Sequence, residues 1–184
     1  AIAQLNTPWP ALLDGFALHA DSAGVFGHRE VFVDFPGTVR DQRVKAIVVG
    51  AGGSTVIAGE FAGTMSLDPA NKVTAHGGAD VDCFVAAYSS NGALVWFTSY
   101  GSTGPDTVDG MAINAAGEVV IAGTYSGTLE YSGGTVTLAV PLGAPDIYVM
   151  RLLQSNNPVT TVQRCASAGI DRVGGVATDS TGVW

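Results

Sequence analysis

Aspartates that recur at fixed spacing are the residues of this sequence best suited to chemistry. Two sets occupy matching positions, and their members are Asp14, Asp82 and Asp146 in one set and Asp41, Asp106 and Asp171 in the other. Asp80 together with Asp82 would offer the hard carboxylate oxygens that Ca²⁺ prefers. The pair Asp106 and Asp109 would offer the same ligands. Neither pair sits in the aspartate-rich, glycine-punctuated loop of a dedicated calcium site, so calcium is a secondary hypothesis and no cofactor is predicted.

The recurrence itself favours a structural role for these carboxylates. A single catalytic or metal site is not needed once in every repeat, whereas a turn is. Aspartate side chains commonly accept hydrogen bonds from backbone N–H groups in turns. We therefore assign a structural turn role to both aspartate sets, and to the recurring glycines Gly59 and Gly123.

Three other motifs that could carry chemistry fail on spacing. The glycine-rich segment 50–52 follows an apolar stretch, but a dinucleotide-binding fingerprint needs a further glycine where the chain has Thr55, and then a helix. A hairpin turn is the favoured interpretation. His19, His28 and His76 share no metal-ligand spacing, and no G-x-S-x-G nucleophile motif is present. No catalytic or cofactor-binding residue is predicted.

The aspartates and glycines belong to a long internal repeat. Asp82 and Asp146 are 64 positions apart, and so are Gly59 and Gly123. A fixed period of this length indicates a repeat architecture. We divide the chain into an N-terminal segment with the late half of a degenerate unit (1–43), two full units (44–107 and 108–172), and the start of a further unit (173–184).

Each full unit predicts four β-strands. They are Lys45–Val49, Thr55–Glu60, Cys83–Tyr88 and Leu94–Tyr100 in the first unit, and Gly110–Asn114, Glu118–Thr124, Ile147–Leu152 and Val159–Cys165 in the second. The first two strands of each unit are continuous apolar runs, which predicts burial on both faces. The connections 62–81 and 126–145 carry short β-prone pieces, which we expect to form an extra hairpin at the outer edge of the sheet.

Composition agrees with a turn-rich all-β fold and excludes some partners. The chain of 184 residues is 47% hydrophobic and 13% charged, with 25 glycines. Its net charge of -8 repels phosphate backbones, so no nucleic-acid partner is expected. No apolar run approaches the ~20 residues that a membrane span needs. Cys83 and Cys165 fall at non-equivalent positions, and we expect two buried free thiols.

The unit resembles the bacterial β-propeller repeats of the SBBP type, named for a seven-bladed propeller. The resemblance is carried by the turn NAAG at 114–117, the strand VIAG at 120–123, and the strand starts DCF at 82–84 and DIY at 146–148. It implies four-stranded antiparallel blades around a channel, in exported or cell-surface bacterial proteins. Propellers typically close with about four to eight blades. About three units are present here, so we expect part of a larger propeller.

Phased units without a shared catalytic constellation favour a non-enzymatic binding or scaffolding module. The resemblance implies an extracellular or cell-surface location, with the periplasm as the alternative, and a protein or glycan partner held by the loops or the channel mouth. A second hypothesis is a carbohydrate-active or quinone-dependent propeller enzyme. A third is a structural protein that self-assembles through open blade edges. We interpret Phe84, Trp96, Phe97 and Tyr148 as packing residues rather than a sugar-stacking platform.

Overall fold

The computed structural model describes residues 15–20, 26–34, 41–68, 71–76, 80–131, 138, 144–153 and 159–179, with the side chains of 15–20, 26–34 and 68 left out. Its strands are β1 (Gly15–Ala20), β2 (Phe26–Asp34), β3 (Gln42–Val49), β4 (Thr55–Ala62), β5 (Thr64–Asp68), β6 (Asn71–Thr74), β7 (Val81–Tyr88), β8 (Leu94–Gly101), β9 (Gly110–Ile113), β10 (Glu118–Tyr125), β11 (Glu130–Tyr131), β12 (Asp146–Leu153) and β13 (Val159–Cys165). In the part of the chain described, the only helical element is the short 3-10 turn Ala51–Gly53. The all-β prediction is confirmed.

Both full units fold into antiparallel sheets with the same strand order. The first unit pairs β3 with β4, β4 with β7, and β7 with β8. The second unit pairs β9 with β10, β10 with β12, and β12 with β13 in the same way. All eight predicted strands are present. The fourth strand of the second unit has the predicted bounds, whereas β3 begins earlier than expected, at Gln42.

The long connection of each unit reaches the preceding sheet. In the first unit β5 and β6 form the expected hairpin, but this hairpin pairs with β2, where Ser66 lies opposite Val33. In the second unit β11 pairs with β8, where Glu130 lies opposite Gly101. The extra strands therefore extend the sheet of the preceding unit rather than that of their own unit, so backbone hydrogen bonds join neighbouring units.

Two apolar cores lie on opposite faces of the first unit's sheet. One core combines residues such as Val56 and Tyr100 with Ile121 and Tyr148 of the second unit, so the two sheets pack against each other. The other core packs Ile57, Phe61 and Phe84 against Met65, Leu67 and Val73 of the β5–β6 hairpin. As predicted for the second strands, β4 and β10 are buried along almost their whole length.

The prediction that β3 is buried on both faces is wrong. Its burial alternates along the strand, and Ile47 and Val49 are 51% and 65% exposed. β3 is the end strand of its sheet. Only the face that carries Ala46 and Val48 meets the core shared with the second unit. The apolar run in the sequence is uninterrupted, so it gave no sign that only one face of β3 is buried.

Gly59 and Gly123 occupy equivalent positions inside β4 and β10, so assigning them to turns was wrong. A Cβ atom at Gly59 would overlap the carbonyl oxygen of Arg43, and one at Gly123 would overlap that of Thr107. Each glycine also faces an aromatic ring on the third strand, that of Phe84 or Tyr148. Glycine is needed here because the backbone at the start of the unit approaches closely, and a positive φ angle is not involved.

Three further expectations can be compared with the described residues. Cys83 is buried and Cys165 is exposed, both as free thiols, so the expected burial holds only for Cys83. Val176 lies against Gly110 of β9, and residues 173–179 contain an isolated bridge at Thr178 rather than a strand. No helix in the described ranges is long and apolar enough to cross a membrane.

Candidate functional site

The turn that leads from one unit to the next is built around an aspartate. The backbone N–H of Ser102 donates to Asp106 Oδ2 at 2.6 Å, and the Ser102 hydroxyl donates to Oδ1 at 2.9 Å. Ser126 N also donates to Oδ1, at 3.2 Å, and Gly104 N donates to the Ser102 hydroxyl at 3.2 Å. The Asp106 carboxylate therefore holds the end of β8 and the end of β10 together.

The second unit ends in the same turn. Ser167 N and the Ser167 hydroxyl donate to the Asp171 carboxylate at 2.9 and 2.8 Å, and Gly169 N donates to the Ser167 hydroxyl. Sequence reasoning identified the aspartates but missed their serine partners. The recurring spacing S-x-G-x-D was the signal that could have revealed them. Asp41, their counterpart in the degenerate unit, pairs with Arg43 at 3.0 Å on the surface.

The aspartates that begin the third strands are buried but use different partners. Asp82 Oδ2 accepts a hydrogen bond from His76 N and lies 2.8 Å from His76 Nδ1. Asp146 pairs with Arg164 Nε at 2.5 Å. Burial raises the pKa of Asp82, and the hydrogen bonds from His76 oppose that rise. Asp14, the first member of this set, lies outside the described residues.

The two candidate calcium pairs are committed to protein contacts. Asp82 faces His76, and Asp106 closes its turn. Asp109 Oδ2 accepts a hydrogen bond from the Thr107 hydroxyl at 3.1 Å, while Asp80 lies near enough to Asp82 to raise its pKa. Within the described ranges, no group of three or more His, Cys, Asp or Glu side chains is placed to hold a metal ion.

A pair of buried tyrosines joins the two sheets. The hydroxyl of Tyr148 donates to the carbonyl oxygen of Thr107 at 2.7 Å, so Tyr100 donates to Tyr148 across 2.9 Å. Burial raises the pKa of both hydroxyls well above the ordinary tyrosine value. Phe84 and Tyr148 are fully buried and Trp96 is 7% exposed, so these rings pack in the cores rather than offering a stacking surface.

At the junction between the two full units, Glu60 crosses from β4 to the start of the second unit. Its Oε1 accepts a hydrogen bond from Val108 N at 3.2 Å and pairs with Lys45 Nζ at 3.1 Å. The Glu60 side chain is only 10% exposed. The protein's own carboxylate therefore occupies the space between the second strand and the next linker.

At the following junction the same space is open. Thr124 stands in place of Glu60, and its hydroxyl lies 2.9 Å from the Thr107 hydroxyl. A cavity of about 280 Å³ lies here, and it is lined by Thr107, Asp109, Thr124, Pro145, Ile170, Asp171, Arg172 and Val173. Among the described residues, its lining combines threonines, aspartates, an arginine and apolar residues. Such a set can hold a small polar ligand.

Comparisons with known proteins give no family for this chain. No protein-family model matches the sequence. No curated protein sequence matches it either. Function must therefore be inferred from the units themselves and from the junctions between them.

Proposed function

We propose that this chain is a non-enzymatic binding or scaffolding module of the β-propeller class, and that its partners bind at the junctions between units. The observation that carries the proposal is the shared strand order of the two full units, together with their common core. Stacking of equivalent sheets through one core is the arrangement that neighbouring propeller blades have. In this proposal the sheets are blades of the SBBP type and belong to a larger propeller.

The use made of the recurring polar residues supports binding over catalysis. Asp106 and Asp171 close turns, and Asp82 and Asp146 pair with neighbours inside the fold. Each of these carboxylates already has a structural task in its own unit. The open junction beside Thr124 offers hydrogen-bonding groups and an apolar wall to a partner.

The partner class and the location follow from the proposed class of protein. We propose an exported or cell-surface protein whose partner is a protein or a glycan. The acidic net charge of -8 supports a partner other than a nucleic acid. Calcium binding at Asp80 with Asp82, or at Asp106 with Asp109, remains a secondary proposal.

A binding screen tests the proposed function. The full chain would be applied to arrays of glycans and of extracellular proteins, together with an Arg172→Gln variant that tests whether the junction takes part in binding. We expect at least one partner to bind the full chain and to bind the variant more weakly. Saturable turnover of a polysaccharide substrate without a stable complex would contradict a non-enzymatic role.

Self-assembly is a second candidate, favoured by one observation. Ile47 and Val49 are large, more than half exposed, and lie on the same face of the end strand β3. Apolar exposure on an unpaired strand invites pairing with another copy of the chain. If this is the function, sedimentation velocity should show association that Val49→Lys abolishes. Val95→Lys, at a valine that is 59% exposed on β8, is the matched control.

A further inference from the structure

The two junctions can be compared position by position, because strand register makes them equivalent. Glu60 lies opposite Cys83 on the third strand, and Thr124 lies opposite the corresponding Ile147. Lys45 directly precedes the residue paired with Ala58, just as Asp109 directly precedes the residue paired with Ala122. Glu60 and Lys45 of the first junction are thus replaced by Thr124 and Asp109 at the second.

These replacements remove the internal carboxylate and reverse a charge beside it. Threonine is too short to repeat the bridge that Glu60 makes to the next unit. Val173 takes the position of Val108, whose N–H binds Glu60 at the first junction. Arg172 takes the position of Thr107, which brings a cation to the wall of the open cavity. A carboxylate entering there would meet a guanidinium in place of the ammonium of Lys45.

The other residues that line the cavity indicate which further groups the ligand should carry. Asp109 carries a negative charge where Lys45 carries a positive one. Asp171 on the same wall accepts a hydrogen bond from Ser167. The two carboxylates favour a hydroxyl or ammonium donor on the ligand and disfavour any anion beyond the one that Arg172 pairs with. Pro145 and Ile170 add an apolar wall, and Ile170 is 71% exposed. The volume of about 280 Å³ is just below the usual range of ligand pockets, about 300–1,000 Å³. One sugar or amino-acid unit matches that size.

We infer that the cavity between Thr124 and Arg172 binds a compact carboxylate that also carries a hydrogen-bond donor. Its acid group takes the place that the Glu60 carboxylate fills at the first junction. Uronic-acid sugars and free α-amino acids share this chemistry. The inference rests on the proposed binding function and names the ligand class of the same junction.

The test uses the full chain and two probe ligands, glucuronate and serine, with glucose as the uncharged match for glucuronate. Binding would be followed by NMR chemical-shift changes at residues 107–109 and 170–173 during titration. We expect saturable shifts with glucuronate, serine or both, and much weaker ones with glucose. The probe that binds more tightly identifies the source as an acidic sugar or an amino acid.

Two variants make the test specific to the cavity. Thr124→Glu combined with Asp109→Lys rebuilds the first junction at the second, so the internal carboxylate should fill the cavity and abolish binding. Arg172→Gln removes the guanidinium and should weaken binding by about tenfold or more. Arg43→Gln is the control, because Arg43 is the exposed counterpart of Thr107 and Arg172 and pairs with Asp41 outside the cavity.

The outcomes separate this inference from the proposed function. Loss of binding in Arg172→Gln with retention in Arg43→Gln supports the inference even if the double variant does not fold. If neither probe shifts these resonances, or if Arg172→Gln binds as the wild type does, the inference is overturned. A positive partner array together with that negative result would leave the binding function standing. An array without any partner would remove the proposed function itself.

Discussion

At the scale of single residues, the same hydrogen-bonded turn exists in two electrostatic environments. Asp106 and Asp171 accept the same bonds from the serine four positions earlier, but Asp106 is fully buried and the turn of Asp171 is exposed. Burial raises the pKa of Asp106 to about 7, against the opposing effect of its donors from Ser102 and Ser126. Burial rather than the hydrogen-bonding motif therefore decides the charge of this carboxyl group near neutral pH.

The raised pKa of Asp106 predicts a pH-dependent stability. The folded state holds a proton on this group that the unfolded state releases, so its contribution to stability falls as pH rises from 3.8 towards about 7. Replacing Asp106 with Asn should remove that slope from the variant, so the stability difference between wild type and variant should fall with pH when it is measured by chemical denaturation across this range. Asp171→Asn alters the same turn in solvent and is the control. Equal pH slopes for the two differences would contradict the prediction.

The tyrosine pair predicts an order of destabilisation. Tyr148→Phe removes the hydroxyl that bonds both the Tyr100 hydroxyl and the Thr107 carbonyl. Each buried group that loses this partner should lower the unfolding free energy by about 1–3 kcal/mol. Tyr100→Phe removes one donor and keeps the bond from Tyr148 to Thr107, which costs only about 0.5–1.5 kcal/mol. Thermal or urea unfolding of both variants checks this. A larger loss in Tyr100→Phe would show that the hydrogen-bond direction assigned here is wrong.

At the scale of elements, strand existence could be predicted from the sequence because it depends on local pattern. The apolar runs 55–60 and 118–124, each preceded by a glycine-bearing turn, are examples of the local pattern that predicts a strand. The destination of the β5–β6 hairpin could not be predicted, because pairing with β2 depends on how sheets stack. The alternating exposure of β3 was missed for the same reason.

The candidate site was less predictable than the fold. Recurring aspartates marked the linker turns, but nothing local marked Glu60 as a bridge to the next unit. Its importance shows only when Thr124 is compared at the equivalent register position. Thr107, Pro145 and Arg172 line the cavity without belonging to any motif, since the fold brings them together from three separate segments.

The close approach of the Thr107 backbone to β10 predicts that glycine is required at position 123. A methyl group at Gly123 would overlap the Thr107 carbonyl and the Tyr148 hydroxyl, and such overpacking costs about 1–3 kcal/mol or more. Gly123→Ala should therefore lower the unfolding free energy by at least this amount. Gly174→Ala is the matched control, because nothing lies within 4 Å of a Cβ atom placed there. A stability close to that of the control would disprove the close approach.

The β5–β6 hairpin pairs with β2 of the preceding unit, so we predict that replacing Met65 has a local effect. Its side chain is fully buried on β5, and loss of such a side chain to alanine costs about 2–5 kcal/mol. In Met65→Ala, amide hydrogen exchange should rise in β2 and β6 more than in β12. Val95→Ala on the exposed surface should leave all three protected. Uniform loss of protection in Met65→Ala would mean that the hairpin has no separate stability.

At the scale of the whole molecule, one continuous core makes the two full units depend on each other. Val56, Cys83 and Tyr100 of the first unit belong to the same core as Ile121 and Tyr148 of the second. Neither sheet buries this face without the other. Unfolding of either unit would expose the apolar surface of both, so we expect them to unfold together.

Coupling between units can be tested from one side. Ile121→Ala in β10 should cost about 2–5 kcal/mol and should speed amide exchange in β7 of the first unit as much as in β12 of its own. The described contacts put Ile121 in the shared core, which is the physical reason. If β7 kept its protection while β12 lost it, the units would be independent domains.

Because β5 pairs with β2 and β11 pairs with β8, each of these sheets is completed by a strand that is synthesised later. A ribosome releases residues from the N-terminus onwards, so each sheet would wait for part of the following unit before its outermost strand gains a neighbour. Nascent chains paused between units would expose an unpaired border that a chaperone could recognise. Gene duplication would meet the same dependence, because a copied unit functions in the array only if its connection still meets the sheet before it.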